Sequence, residues 1–246
     1  MAAVALTFVI VCVGAVYLRG WLQRRAILAW RAGSFFLGLL AIWAAMLSPV
    51  AAWDSHMLTA HMIQHLLLMT IAPPLIWLGE PLIVTNPPRW PLAKGLGRLL
   101  GHPVFCWLAA ATALVAWHVP AVFRLGMQSP TWHFIEHASF LTAGLLFWWP
   151  VIQPWPSVAH WPRWSMLPYL FLATLPCDVL SGFLVFSDRV AYPTYLCAPQ
   201  NGGLSPLADQ QCAAALMWTC VTVVFLAAGT FLSTQMLSLR KEATSK

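Results

Sequence analysis

Seven apolar stretches recur along the chain, at about residues 2–18, 34–52, 58–78, 104–119, 131–152, 165–187 and 211–236, with short polar breaks between them. Each approaches the roughly 20 residues that a helix needs to cross a bilayer. The pattern predicts an all-α fold, a polytopic membrane helical bundle of about seven transmembrane helices. It forms a single integral membrane domain over residues 1–246, with no soluble linker, repeat or low-complexity tract. Proline interrupts two of the stretches, at Pro73 and Pro74 in the third and at Pro176 in the sixth. There the missing N–H and the ring clash are expected to kink or break the helix.

Charge sets the expected orientation. No basic residue precedes the first stretch, and Arg19, Arg24, Arg25 and Arg31 follow it, the reverse of a cleaved secretory signal. With the N-terminus outside and the C-terminus inside, all of the 13 Lys and Arg residues except Arg124 and Arg189 fall on the cytoplasmic side. That agrees with the positive-inside rule, so N-out/C-in is the expected topology. The same rule accounts for the net charge of +6 without a nucleic-acid partner.

Composition agrees with a lipid solvent: 60% of residues are hydrophobic and 8% charged, against roughly 25% charged in soluble domains. Trp148, Trp149, Trp155, Trp161 and Trp164 crowd the segment ends and are expected to anchor in the headgroup layer. Residues 91–100 space leucines against basic positions, as in a short amphipathic helix on the inner surface. Cys12, Cys106, Cys177 and Cys220 lie in apolar runs and are expected in the core. Cys197 and Cys212 flank a polar loop on the oxidising side, where a disulfide, copper ligation and free thiols all stay open.

The candidate chemistry lies in the histidines. On this topology His56, His61, His65, His118, His133 and His137 fall outside, or within a few turns of the outer face at about 1.5 Å per residue. Only His102 and His160 lie inside. Asp54, Met57, His61, His65 and Met69 are spaced by three or four and share one face if the third helix begins early enough. His133, Glu136 and His137 do the same on the fifth, and His118 ends the fourth at similar depth. Imidazoles one turn apart suit a first-row metal ion, and thioethers from Met57, Met69 and Met217 tilt the choice towards Cu(I). Glu136 and Asp54 are expected to orient the rings as acceptors. A lone membrane histidine is more often a helix-to-helix hydrogen bond, but polar side chains cost too much in lipid for five to gather at one depth without use. Asp178 stands alone in the sixth run, after Pro176, as a ligand, a proton acceptor or a cap for freed backbone groups.

Several strings carry a family resemblance. They are HMIQHLLL from His61 to Leu68, APPLIWLGEP from Ala72 to Pro81, AWHVP from Ala116 to Pro120 and HFIEHASFLTAGLLFWWPV from His133 to Val151. YPTY from Tyr192 to Tyr195 and ADQQCAAALMW from Ala208 to Trp218 complete them. In this order they resemble the CtaG-type cytochrome c oxidase assembly family, over helices three to seven. Cys212 to Ala215 stand where that family usually has a glycine-containing turn, and Thr219 and Cys220 where it usually has Val-Pro.

The resemblance implies a multi-pass protein of the bacterial inner (plasma) membrane that helps assemble a haem-copper oxidase, with that oxidase's subunits as partners and copper as the metal handled. It implies no enzymatic turnover. The family's histidine motifs fall on His61, His65, His118, His133 and His137, five of the six that depth selects. Two other readings remain. A b-type haem redox protein would need histidines several turns apart to stack haems across the bilayer. A metal- or proton-coupled transporter would use Asp178 at the kinked sixth helix.

Overall fold

The computed structural model describes residues 2–24, 27–85, 101–154, 161–196 and 203–244. All regular structure among them is helical. The chain runs through α1 (Ala2–Arg24), α2 (Ala29–Leu47), α3 (Pro49–Trp53), α4 (Leu58–Leu66), a π-turn (Leu67–Ile71), α5 (Ala72–Leu78) and α6 (Pro81–Thr85). It continues through α7 (Pro103–His118), α8 (Pro120–Gln128), α9 (Pro130–Ile152), α10 (Met166–Val185) and α11 (Pro206–Thr244). Six helices are long and apolar enough to cross a membrane, and a seventh is obtained if α7 and α8, bent by 79° to one another, count as one span. The fold is therefore the expected bundle of about seven spans.

Proline sets many of the boundaries. It opens α3, α6, α7, α8, α9 and α11, where its fixed φ suits a first helical turn and its missing N–H costs nothing. Pro73 and Pro74 are absorbed differently. The third span tightens neither into a loop nor a break but widens into the π-turn just before them. Such a bulge re-routes backbone bonds that a proline ring would otherwise block. At Pro176, where a kink or break is expected, α10 runs through without a break.

The core forms where the later helices meet. α10 packs along α11, α9 along α7 and α5, and α4 along α11. Leu58, Met62, Leu66, Phe123, Leu184, Met217 and their neighbours fill one cluster; Phe147, Trp148, Tyr169 and Leu170 fill another. α1 packs on α2 and α6, leaving Val4, Phe8, Val11 and Val16 exposed for lipid. Phe171, Val179 and Phe183 on α10 are exposed in the same way. Trp148 is 2% exposed and packs in the core rather than anchoring at the surface, whereas Trp164 is exposed. Cys12 is exposed on α1 rather than in the core, Cys106 and Cys177 are buried, and Cys220 is partly buried. The expected amphipathic helix at 91–100, and Cys197 with its question of pairing, lie outside the described residues.

The bundle has two chemically different ends. At one, Arg31 Nη1 lies 2.6 Å from Glu80 Oε1, Tyr17 donates to the Gly79 carbonyl at 2.7 Å, and Arg163 bonds Gln235. At the other, where α4 and α9 begin and α7 ends, the histidines gather.

Candidate metal centre

Two helix starts carry most of the site. Ser129 caps α9, its Oγ accepting from the Trp132 N–H at 3.3 Å, and this sets His133, Glu136 and His137 on one face of the first two turns. The start of α4 is capped from across the bundle. Asp209 on α11 accepts from the Leu58 N–H at 2.6 Å, from the Thr59 N–H at 3.3 Å and from the Thr59 hydroxyl at 2.6 Å. This cap fixes His61 and His65 one turn apart and within two turns of the helix end.

The third span begins at Leu58, so Asp54 and Met57 do not extend its face as the spacing predicted. Asp54 instead ends α3, and the chain folds back so that its Oδ1 lies 2.5 Å from His61 Nδ1. Its Oδ2 lies 3.0 Å from His133 Nε2. Met57 is the extended residue before α4. Burial alone raises the pKa of Asp54, but the imidazoles of His133 and His61 outweigh it and hold the carboxyl well below the usual carboxylate range.

Glu136 completes the centre from the other side. It is 0% exposed, with Oε1 3.4 Å from His61 Nε2 and 3.3 Å from His65 Nε2. These separations lack the alignment of hydrogen bonds: both Glu136 oxygens, both His65 nitrogens, His61 Nε2, His133 Nε2 and His137 Nε2 are buried without a hydrogen-bond partner. Two groups of three thus converge, Asp54 with His61 and His133, and His61 with His65 and Glu136, each with donor atoms within 4.8 Å of one another. Asp54 and Glu136 each bring an oxygen into these groups, and Asp54 also orients the His61 ring through Nδ1.

All five predicted histidines come together. The His61 and His65 rings lie 4.2 Å apart, those of His133 and His137 4.2 Å, and those of His61 and His133 5.8 Å. His137 stands beside the two groups, 5.8 Å from His65. His118 lies on the far side of His65, 6.0 Å away, with Nε2 3.4 Å from Met62 Sδ. Met217 lines a small cavity there with Met62, His65 and His118. Asp178 is partly buried on α10 and belongs to neither donor group.

Other residues hold this arrangement and carry no chemistry of their own. Tyr195 donates to the Asp54 carbonyl and Tyr192 to the His118 carbonyl, both at 3.0 Å. Gln210 accepts from the Ala191 N–H at 2.7 Å and bonds the Arg189 and Leu184 carbonyls. Phe123 packs on His61 at 5.0 Å and Phe140 stacks on His65 at 4.0 Å. Gly126 on α8 leaves room for the acid: a Cβ there would lie 2.7 Å from Glu136 Oε2. Gly126 carried no signal in the sequence, and Met62, Asp209, Gln210 and the tyrosines stood out only within strings of the family resemblance.

A membrane bundle with a buried histidine–carboxylate cluster near one end is the class that fold and site define. The sequence profile of the cytochrome c oxidase caa3 assembly factor family matches residues 15–238, and the chain belongs to that family. It is also 26% identical to an uncharacterised protein of Mycobacterium bovis over 233 residues, covering 84% of this chain. An uncharacterised protein of Mycobacterium tuberculosis matches to the same extent. The chain spans 35% of the length of these two relatives. No solved structure matches it.

Proposed function

We propose that this chain helps assemble a haem-copper oxidase in the bacterial plasma membrane by holding copper at His61, His65 and His133 with Asp54 and Glu136, on the periplasmic side, for delivery to oxidase subunits. One observation carries the reading: Asp54 with His61 and His133, and His61 with His65 and Glu136, bring donor atoms within 4.8 Å of one another, and seven buried nitrogen and oxygen atoms of this cluster have no hydrogen-bond partner. Buried polar atoms left without partners are costly, a bound cation would engage the carboxylate oxygens and the imidazole lone pairs, and imidazole with carboxylate suits a first-row divalent or copper ion. The periplasmic placement rests on the basic residues near the opposite end. A non-catalytic role follows from the family. Histidine rings packed 4.2 Å apart leave no plane between them for a haem, which weighs against a redox protein. Asp178 stands outside both groups, which weighs against a transporter coupled through it.

The test is the copper content of the purified full chain beside its His61→Ala/His65→Ala and His133→Ala/His137→Ala variants, with visible spectra recorded for haem. Stoichiometric copper in the wild type that falls at least about tenfold in affinity in both variants is expected, a loss of about 1.4 kcal/mol or more. A wild type without copper that still supports oxidase assembly contradicts the reading and leaves a chaperone that needs no metal.

A further inference from the structure

His118 lines a small apolar cavity of about 60 Å³ beside the carboxylate cluster. Met62, His65, Met69, Cys177 and Met217 line it with His118. His118 Nδ1 lies 2.7 Å from the Leu114 carbonyl, which can only accept, so Nδ1 carries the proton. In the neutral ring Nε2 then presents its lone pair, and it does so 3.4 Å from the Met62 sulfur. A thioether has no proton to give. Two electron donors therefore face one another inside an apolar chamber, with Met62 1% and His118 4% exposed. An imidazolium would resolve the contact only by placing a charge among apolar side chains. A soft cation resolves it directly. With bonds of about 2.0 Å to nitrogen and about 2.3 Å to sulfur, donors 3.4 Å apart subtend a nearly tetrahedral angle at an ion between them.

We propose that His118 Nε2 and Met62 Sδ form a second metal site, specific for a soft monovalent ion such as Cu(I), distinct from the histidine–carboxylate cluster. Met217 supplies a further sulfur on the chamber wall, 3% exposed and packed in the same core cluster as Met62. No carboxylate lines the chamber. Thioether and neutral imidazole without an anion select Cu(I) and Ag(I) over divalent ions. His65 stands at the boundary, with one nitrogen towards Glu136 and its ring on the chamber wall. This site does not depend on copper binding at the cluster.

Ag(I), a redox-silent stand-in for Cu(I), is the probe, titrated into the full chain in detergent with X-ray absorption at the silver edge. The expected wild-type spectrum has both nitrogen and sulfur in the first shell. Met62→Leu, a volume-conserving swap that cores tolerate, is expected to weaken Ag(I) at least about tenfold and to leave copper at the cluster. His133→Ala/His137→Ala is expected to do the reverse. A wild type that binds no Ag(I), or binds it without sulfur, overturns the proposal, and neither result depends on a variant folding. Full Ag(I) affinity in Met62→Leu, or Ag(I) lost in the cluster variant alone, also overturns it. Copper retained at the cluster in any of these cases leaves the assembly reading standing.

Discussion

At the scale of single residues, the site depends on side chains that hold other side chains in place. Gly126 is the clearest case, because a methyl group there would meet the Glu136 carboxylate at 2.7 Å. Gly126→Ala is expected to destabilise by about 1–3 kcal/mol as an overpacked contact, or to displace Glu136 and weaken bound copper. A thermal melt and a copper titration of the variant check both outcomes, and unchanged values for each would remove Gly126 from the account. Tyr195→Phe removes the bond to the Asp54 carbonyl and is expected to cost about 0.5–1.5 kcal/mol while copper binding survives, as chemical denaturation and the same titration would show. The five histidines were legible in the sequence because repeated polar residues at helical spacing are rare in lipid-facing runs. Met62 was not. It sits between two histidines as an ordinary apolar residue, and only the fold turns its sulfur towards His118.

At the scale of elements, helix starts decide which donors meet. Spacing placed Asp54 on the same helix face as His61, yet the chain breaks between Trp53 and Leu58 and brings Asp54 back as a loop carboxylate. The contact was foreseeable from residue type and the route was not, since a break costs nothing when a remote side chain caps the new helix. Asp209 is that cap, and its bonds to Leu58 and Thr59 span 151 and 150 positions of sequence. Asp209→Ala is expected to lose about 1–2 kcal/mol of stability and to loosen His61 and His65, so copper affinity falls along with the thermal midpoint. If the midpoint falls and affinity holds, the cap is only structural. The prolines show the same limit. Six of them open helices, as composition allows, but whether Pro73, Pro74 or Pro176 breaks its span depends on neighbours. The first two are met by a π-turn and Pro176 is carried through.

At the scale of the whole molecule, the bundle is polar along its axis. Arg31, Glu80 and Arg163 mark one end, and the histidine–carboxylate cluster lies towards the other. The number of spans was legible because lipid demands long apolar runs. The packing order was not, since apolar residues facing lipid and those facing protein look alike in sequence, as Trp148 and Cys12 illustrate by exchanging their expected places. The central claim is that the cluster holds copper destined for an oxidase. Its most direct test is the copper-to-haem ratio of the oxidase purified from cells whose only copy of this chain carries His61→Ala and His65→Ala. The account predicts an oxidase with haem and a deficit of copper, restored by the wild-type chain. An oxidase with its full copper complement in those cells would contradict it.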